Sequence, residues 1–167
     1  VDYSAQADAD VSLFIDLNAS SNGFMKLGTS TTSGAAWDAI SAAHTLKNIE
    51  DATGGAGNDL FAGDVLDNRF DGGAGSDTVT YAGIADALTI NLLTERARGI
   101  FNAGAFGTDT LIGFENVMGG EGNDRIVGNT LANLIDGGSG TDTADYSGLT
   151  SASPLAVTLG TSATVVV

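Results

Sequence analysis

The chain has 167 residues, which fits one ordinary domain or a short run of repeats. Lys and Arg together number 6 and Asp and Glu number 21, so the formal net charge is −15. A chain this acidic is not expected to bind nucleic acid or an anionic membrane, because both need a cationic face. The absence of Cys excludes disulfides and thiolate zinc sites, the single His excludes a multi-histidine metal site, and no apolar run is long enough to span a membrane.

The first segment, residues 1–45, is predicted to be the end of one repeat module followed by a strand and a loop insertion. Its opening residues, Val1–Ser4, resemble the end of a glycine-rich turn block that recurs further on. An alternating strand pattern follows at Ser12–Leu17. The chain begins without Met, and we therefore expect it to be a fragment of a longer repetitive protein.

Residues 46–81 form the first repeat block, which has a period of nine residues. The nonapeptides 54–62, 63–71 and 72–80 read GGAGNDLFA, GDVLDNRFD and GGAGSDTVT. Position 1 is always Gly, position 6 is Asp or Asn, and position 8 is apolar. Glycines suit a tight turn, and in the short strand after each turn only the middle side chain faces inward. The block therefore predicts short parallel strands stacked into two sheets around a thin apolar seam.

The same organisation returns after an interval. Residues 82–110 are predicted to be a second insertion, beginning with a strand at Leu88–Leu92. The second block, 111–146, repeats the first at a distance of 65 residues, and 15 of the 28 positions in 54–81 are identical in 119–146. A third module is expected to start within 147–167. Repeats at a fixed spacing indicate a stacked architecture, so we expect an all-β chain of two 65-residue modules with inserted hairpins or loops.

The nine-residue pattern resembles the RTX family (repeats in toxin, the haemolysin-type calcium-binding repeat), whose consensus is G-G-x-G-x-D-x-U-x. Four nonapeptides carry it, at 54–62, 72–80, 119–127 and 137–145. The two that intervene, 63–71 and 128–136, lack the Gly-Gly pair. The resemblance implies a parallel β-roll, or β-solenoid, in which Ca²⁺ binds between turns 18 residues apart.

The resemblance also implies a ligand set. In the family, one turn supplies carbonyls from positions 2 and 4, the next supplies carbonyls from positions 1 and 3, and both supply the Asp at position 6. The implied ligands of a first calcium site are Gly55, Gly57, Asp59, Gly72, Ala74 and Asp77. Those of a second site are Gly120, Gly122, Asp124, Gly137, Ser139 and Asp142. The pairs Glu50/Asn68 and Glu115/Asn133 are left open between weak calcium sites and hydrogen bonding within the turn.

Other interpretations of these turns are weaker. Asp and Gly are common turn residues, so a purely architectural role for the turns stays as an alternative to calcium. No EF-hand loop and no dinucleotide-binding Gly pattern is present. We expect no enzymatic activity in this chain. We expect instead a structural or adhesive module of a large extracellular or cell-surface bacterial protein, exported by a type I system and rigidified by Ca²⁺ outside the cell. Its expected partners are calcium ions, other modules of the same protein or cell-surface material.

The alternative function is an accessory calcium-binding module of a secreted enzyme or toxin, such as a protease, lipase or epimerase. In that case the active site lies outside this chain. The neighbouring sequence separates the two: more than a few 65-residue modules favours the first, and an upstream catalytic motif favours the second.

Overall fold

The computed structural model describes residues 11–16, 24–29, 44–45, 49–99, 106–150 and 164–166. These residues contain strands and no helix, so the prediction of an all-β chain is confirmed. Within them, no helix is present that is long and apolar enough to cross a membrane. The predicted strand at 155–159 lies outside the described residues.

The described strands are short, and most contain two to four residues. In chain order they are β1 Val11–Asp16, β2 Phe24–Thr29, β3 His44–Thr45, β4 Asp51–Thr53, β5 Leu60–Ala62, β6 Arg69–Asp71, β7 Thr78–Thr80, β8 Leu88–Asn91, β9 Arg96–Gly99, β10 Thr108–Ile112, β11 Asn116–Met118, β12 Arg125–Val127, β13 Ile135–Asp136, β14 Thr143–Asp145 and β15 Thr164–Val166.

The strands form two sheets of mixed direction. Sheet I has the order β13-β11-β7-β5-β1-β2-β3, and sheet II has the order β15-β14-β12-β8-β9-β10-β6-β4. From β4 to β7 the chain passes to the other sheet after every strand, and it does so again from β10 to β14. Strands two steps apart in the chain are therefore parallel neighbours, as in the pairs Ala52↔Phe70, Phe61↔Val79 and Ile126↔Ala144, each 18 residues apart.

The nine-residue period explains these strands. Successive side chains of a strand point to opposite faces, so a three-residue strand directs one side chain inward. In β5 this residue is Phe61, and in β6 it is Phe70; both are fully buried. The two rings come from different sheets and lie 5.3 Å apart, and the ring of Phe114 meets Phe61 edge-on at 5.2 Å. The core is thus a single row of apolar side chains between two facing sheets.

The second insertion enters only one of the two sheets. Strands β8 and β9 form an antiparallel hairpin, with Leu88 opposite Gly99. This hairpin lies between β10 and β12 in sheet II, whereas β7 and β11 are direct neighbours in sheet I, with Val79 opposite Val117. The first insertion has the same plan in the other sheet, where β2 pairs antiparallel with both β1 and β3.

The two modules occupy the stack in opposite orientations. Among the described strands, β3–β7 belong to the first module and β10–β14 to the second, which makes five strands in each. Strands alternate between sheets, so an odd number returns the chain to the opposite sheet. Module one starts in sheet I with β3, and module two starts in sheet II with β10. Residues 65 apart in sequence therefore lie on opposite sheets.

Candidate metal-binding turns

The predicted ligands of the first site lie in two turns that stack directly on each other. Both turns, 54–59 and 72–77, lead from sheet II to sheet I, and this side of the molecule is called the first turn edge. The N–H of Ala74 donates to the carbonyl of Gly55 at 3.0 Å. The N–H of Asp59 donates to Oδ1 of Asp77 at 2.7 Å. The structure thus brings the six residues of this predicted site together.

Glycine is required in these turns by the closeness of oxygen atoms. A Cβ on Gly54 would lie 2.3 Å from Oδ2 of Asp59 and 2.4 Å from the carbonyl oxygen of Gly72. Gly73 has a φ of +94°, and a Cβ there would lie 2.3 Å from the carbonyl oxygen of Gly55. A carboxylate oxygen and carbonyl oxygens from both turns therefore crowd into a space that no side chain can share.

Asp77 is the most perturbed group on this edge. It is fully buried, and its Oδ2 atom has no hydrogen-bond partner. Burial raises the pKa of Asp77 to about 7, and the negative charges of Asp59, Glu115 and Asp71 raise it further, against the lowering effect of the Asp59 N–H. Glu115 is close because its Oε2 accepts the N–H of Asp77 at 2.9 Å. The site accumulates acidic oxygens without a positive charge to balance them.

The predicted ligands of the second site form the same stacked pair on the other side of the molecule. Turns 119–124 and 137–142 lead from sheet I to sheet II, on the second turn edge. The N–H of Ser139 donates to the carbonyl of Gly120 at 3.0 Å, and the N–H of Asp124 donates to Oδ1 of Asp142 at 2.9 Å. Partial burial, together with the charges of Asp124 and Asp136, raises the pKa of Asp142. The two sites are built alike but lie on opposite edges.

The second site differs from the first in its hydrogen bonds. Oδ1 of Asp124 accepts the N–H of Leu88 and Oδ2 accepts the N–H of Gly120, both at 2.8 Å. Both oxygens of this carboxylate thus have a backbone partner, and the position that Glu115 holds beside the first site is taken here by the start of β8. We therefore expect the first site to bind a cation more tightly than the second.

The residues left open by the sequence take different roles. Nδ2 of Asn133 donates to the carbonyl of Glu115 and to Oδ1 of Asn129, both at 2.9 Å, so Asn133 closes its own turn. Oδ1 of Asn68 accepts the N–H of Asp64 at 3.2 Å in the same way. Glu115 is the exception, because it extends the carboxylate row of Asp77.

Sequence reasoning missed one buried carboxylate. Asp109 in β10 is fully buried, accepts the hydroxyl of Tyr81 at 2.6 Å and accepts the N–H of Asn68 at 2.9 Å. Burial raises the pKa of Asp109 to about 7, against the lowering effect of the Tyr81 and Asn68 hydrogen bonds. Asp109 is preceded by no Gly-Gly pair, so the nonapeptide consensus did not reveal it. The only signal was its position, one residue before the strand triplet Thr110–Ile112, where the other turns carry Asp or Asn.

The donor set of each turn pair fits a hard cation. Ca²⁺ takes six to eight oxygen ligands from carboxylates and carbonyls, and each pair supplies two carboxylates and four candidate carbonyls. In the described part of the chain, no group of three or more His, Cys, Asp or Glu side chains is placed to hold a metal. A site built mainly from backbone carbonyls does not require such a group. The unpartnered Oδ2 of Asp77 is the atom that a cation would satisfy.

Comparison with known proteins adds no further identification. No protein-family model matches the chain, and no curated protein is significantly similar to it. The resemblance to the RTX repeat therefore rests on the four nonapeptides and on the stacked turns that contain them.

Proposed function

We propose that this chain is a calcium-binding, RTX-like β-roll that serves as a structural or adhesive module of a large extracellular bacterial protein. The observation that carries the proposal is the buried, unpartnered Oδ2 of Asp77 in a row with Asp59 and Glu115. Leaving a buried carboxylate oxygen without a partner is costly, and surrounding it with like charges increases the cost. A calcium ion between the two turns removes both costs.

Calcium would act in this roll as a clamp between coils. Each proposed ion contacts two successive turns, and a ligand that binds only the folded form stabilises it by about 2.7 kcal/mol at a hundredfold excess over Kd. Without the ion, the 21 acidic residues repel one another. The chain is then loose where calcium is scarce, as in the cytosol, and rigid outside the cell, which suits a module exported unfolded through a type I system.

The test is calcium titration of the chelator-treated chain by isothermal calorimetry, with circular dichroism alongside. We expect two bound ions and a gain of β signal. The variant Asp77→Asn should lose the tighter ion and should also stabilise the calcium-free chain, because it removes a buried charge while Oδ1 still accepts the N–H of Asp59. Asp67→Asn is the matched control: it removes one charge from an exposed position on the second turn edge, where its oxygen accepts the N–H of Thr108.

Two results contradict the proposal. Unchanged circular dichroism between chelator and millimolar calcium rejects the calcium-built roll. An unchanged calcium stoichiometry in Asp77→Asn, or an equal loss in Asp67→Asn, rejects the first site as placed here.

A further inference from the structure

The positive charges of this acidic chain are concentrated on one surface. All four arginines of the sequence, Arg69, Arg96, Arg98 and Arg125, occupy exposed positions on strands of sheet II. In each case the neighbouring residue of the strand is buried, so alternation directs the arginine to the outer face. A chain with a net charge of −15 thus has one surface that is locally cationic.

Strand register places three of these arginines around one shallow depression. Arg98 lies opposite Thr89, and Thr89 lies opposite Arg125, so these two arginines are two strands apart, or about 9.6 Å. Arg96 lies two residues from Arg98 on the same strand, or about 6.8 Å. The depression between them is lined also by Asn91 and Thr94.

The charges at the centre of this surface are not neutralised by neighbours. Among the described residues, neither Arg96 nor Arg98 has an ion-pair partner, whereas Arg125 pairs with Asp145 and Arg69 approaches Asp71 at 3.9 Å. The outward positions of β8, β9 and β10 carry Thr, Asn, Arg and one Ile but no acidic residue. This composition provides guanidinium donors surrounded by hydroxyl and amide groups.

From this arrangement we infer that the outer face of sheet II binds an acidic polysaccharide, one that carries carboxylate or sulfate groups. The planar guanidinium group forms paired hydrogen bonds with such anions, and Thr and Asn side chains both donate to and accept from sugar hydroxyls. The spacing of Arg98 and Arg125 matches widely spaced charges on a linear sugar chain. The surface does not depend on the turn residues, so this inference stands apart from the calcium sites.

Nucleic acid and anionic membranes fit this surface less well. Both present dense negative charge, and their binding grows with the number of cations that contact phosphate groups. Here the central depression has three arginines, one of which is already paired, and the rest of the chain is strongly acidic. A polymer with sparse charges and many hydroxyl groups avoids most of that repulsion.

Binding is tested with the calcium-loaded chain at 150 mM NaCl, using polygalacturonate for carboxylate, heparin for sulfate and dextran as the neutral polymer. We expect binding to one or both acidic polymers and none to dextran. Arg98→Gln should weaken binding about tenfold or more, as loss of a charged hydrogen-bond pair does, and Arg98→Lys should restore it in part. Arg69→Gln is the matched control, because it removes the same charge from the same face outside the depression.

Three outcomes overturn the inference. The first is equal weakening by Arg98→Gln and Arg69→Gln, which indicates general electrostatics. The second is binding that survives in both Arg98→Gln and Arg96→Gln, which indicates calcium bridging between the polymer and the acidic edges. The third is tighter binding to a single-stranded oligonucleotide or a phosphatidylserine vesicle than to either polysaccharide. Far-UV circular dichroism and calcium stoichiometry, measured for each variant, separate these outcomes from a failure of the calcium proposal.

Discussion

Two glycines with similar backbone conformations provide a direct test of turn stacking. Gly73 has a φ of +94° and Gly83 has a φ of +87°, so Ala is strained at both positions. They differ in what a new methyl group would meet. At Gly73 the Cβ would lie 2.3 Å from the carbonyl oxygen of Gly55, and at Gly83 no atom lies within 4 Å. The pair Gly73→Ala and Gly83→Ala therefore separates backbone strain from contact between coils.

The expected magnitudes follow from these contacts. Left-handed backbone costs an L-residue about 1–2 kcal/mol. Replacing Gly also lowers the entropy of the unfolded chain, which offsets roughly 0.4–1 kcal/mol of that cost. We therefore expect Gly83→Ala to lower the free energy of unfolding only slightly. Gly73→Ala additionally forces two turns apart, and overpacking of this kind costs about 1–3 kcal/mol more.

The assay is urea unfolding at saturating calcium, followed by far-UV circular dichroism, with calorimetric calcium binding measured on the same samples. Gly73→Ala should also weaken the first calcium site, because the displaced Gly55 carbonyl is one of its proposed ligands, whereas Gly83→Ala should not. Equal losses of stability in the two variants would refute the stacking of turns 54–59 and 72–77 described here.

Two further predictions concern the core and the buried carboxylate of β10. Phe61→Ala should cost about 3–5 kcal/mol in urea unfolding, because Phe61 is fully buried between two other rings, whereas Leu134→Ala, at a residue that is 71 % exposed, should change stability by about 0.5 kcal/mol or less; similar losses in both would contradict the assigned core. Asp109 has its pKa raised from 3.8 to about 7, so the folded form binds its proton more tightly, and its contribution to stability is lost as pH rises from about 4 to about 7. The fall in the urea midpoint across that range should be shallower in Asp109→Asn, and in Tyr81→Phe it should extend above pH 7, since the Tyr81 hydroxyl lowers the pKa of Asp109; a pH profile unchanged in both variants would show that Asp109 is not the titrating group.

The sequence determined the local structure of this protein. Gly at position 1, Asp or Asn at position 6 and an apolar residue at position 8 set the turn, its inward carboxylate and the single buried side chain of each strand. The prediction of an all-β chain followed from that pattern alone, and so did the neighbourhood of Asp59 with Asp77 and of Asp124 with Asp142. These relations are readable because they repeat every 18 residues, which is one full coil.

The tertiary structure decided which distant residues meet. The 65-residue period suggests two equivalent sites in line, but five strands per module place them on opposite edges. Glu115 joins Asp77 across 38 residues, and Asp109 joins Asn68 across 41, because an inserted hairpin separates neighbours of the stack along the chain. The same hairpin brings Arg98 beside Thr89 and, one strand further on, Arg125. Periodicity in sequence reports contacts between adjacent coils, whereas the length of an insertion and the parity of the strand count determine which coil is adjacent. That information resides only in the folded chain.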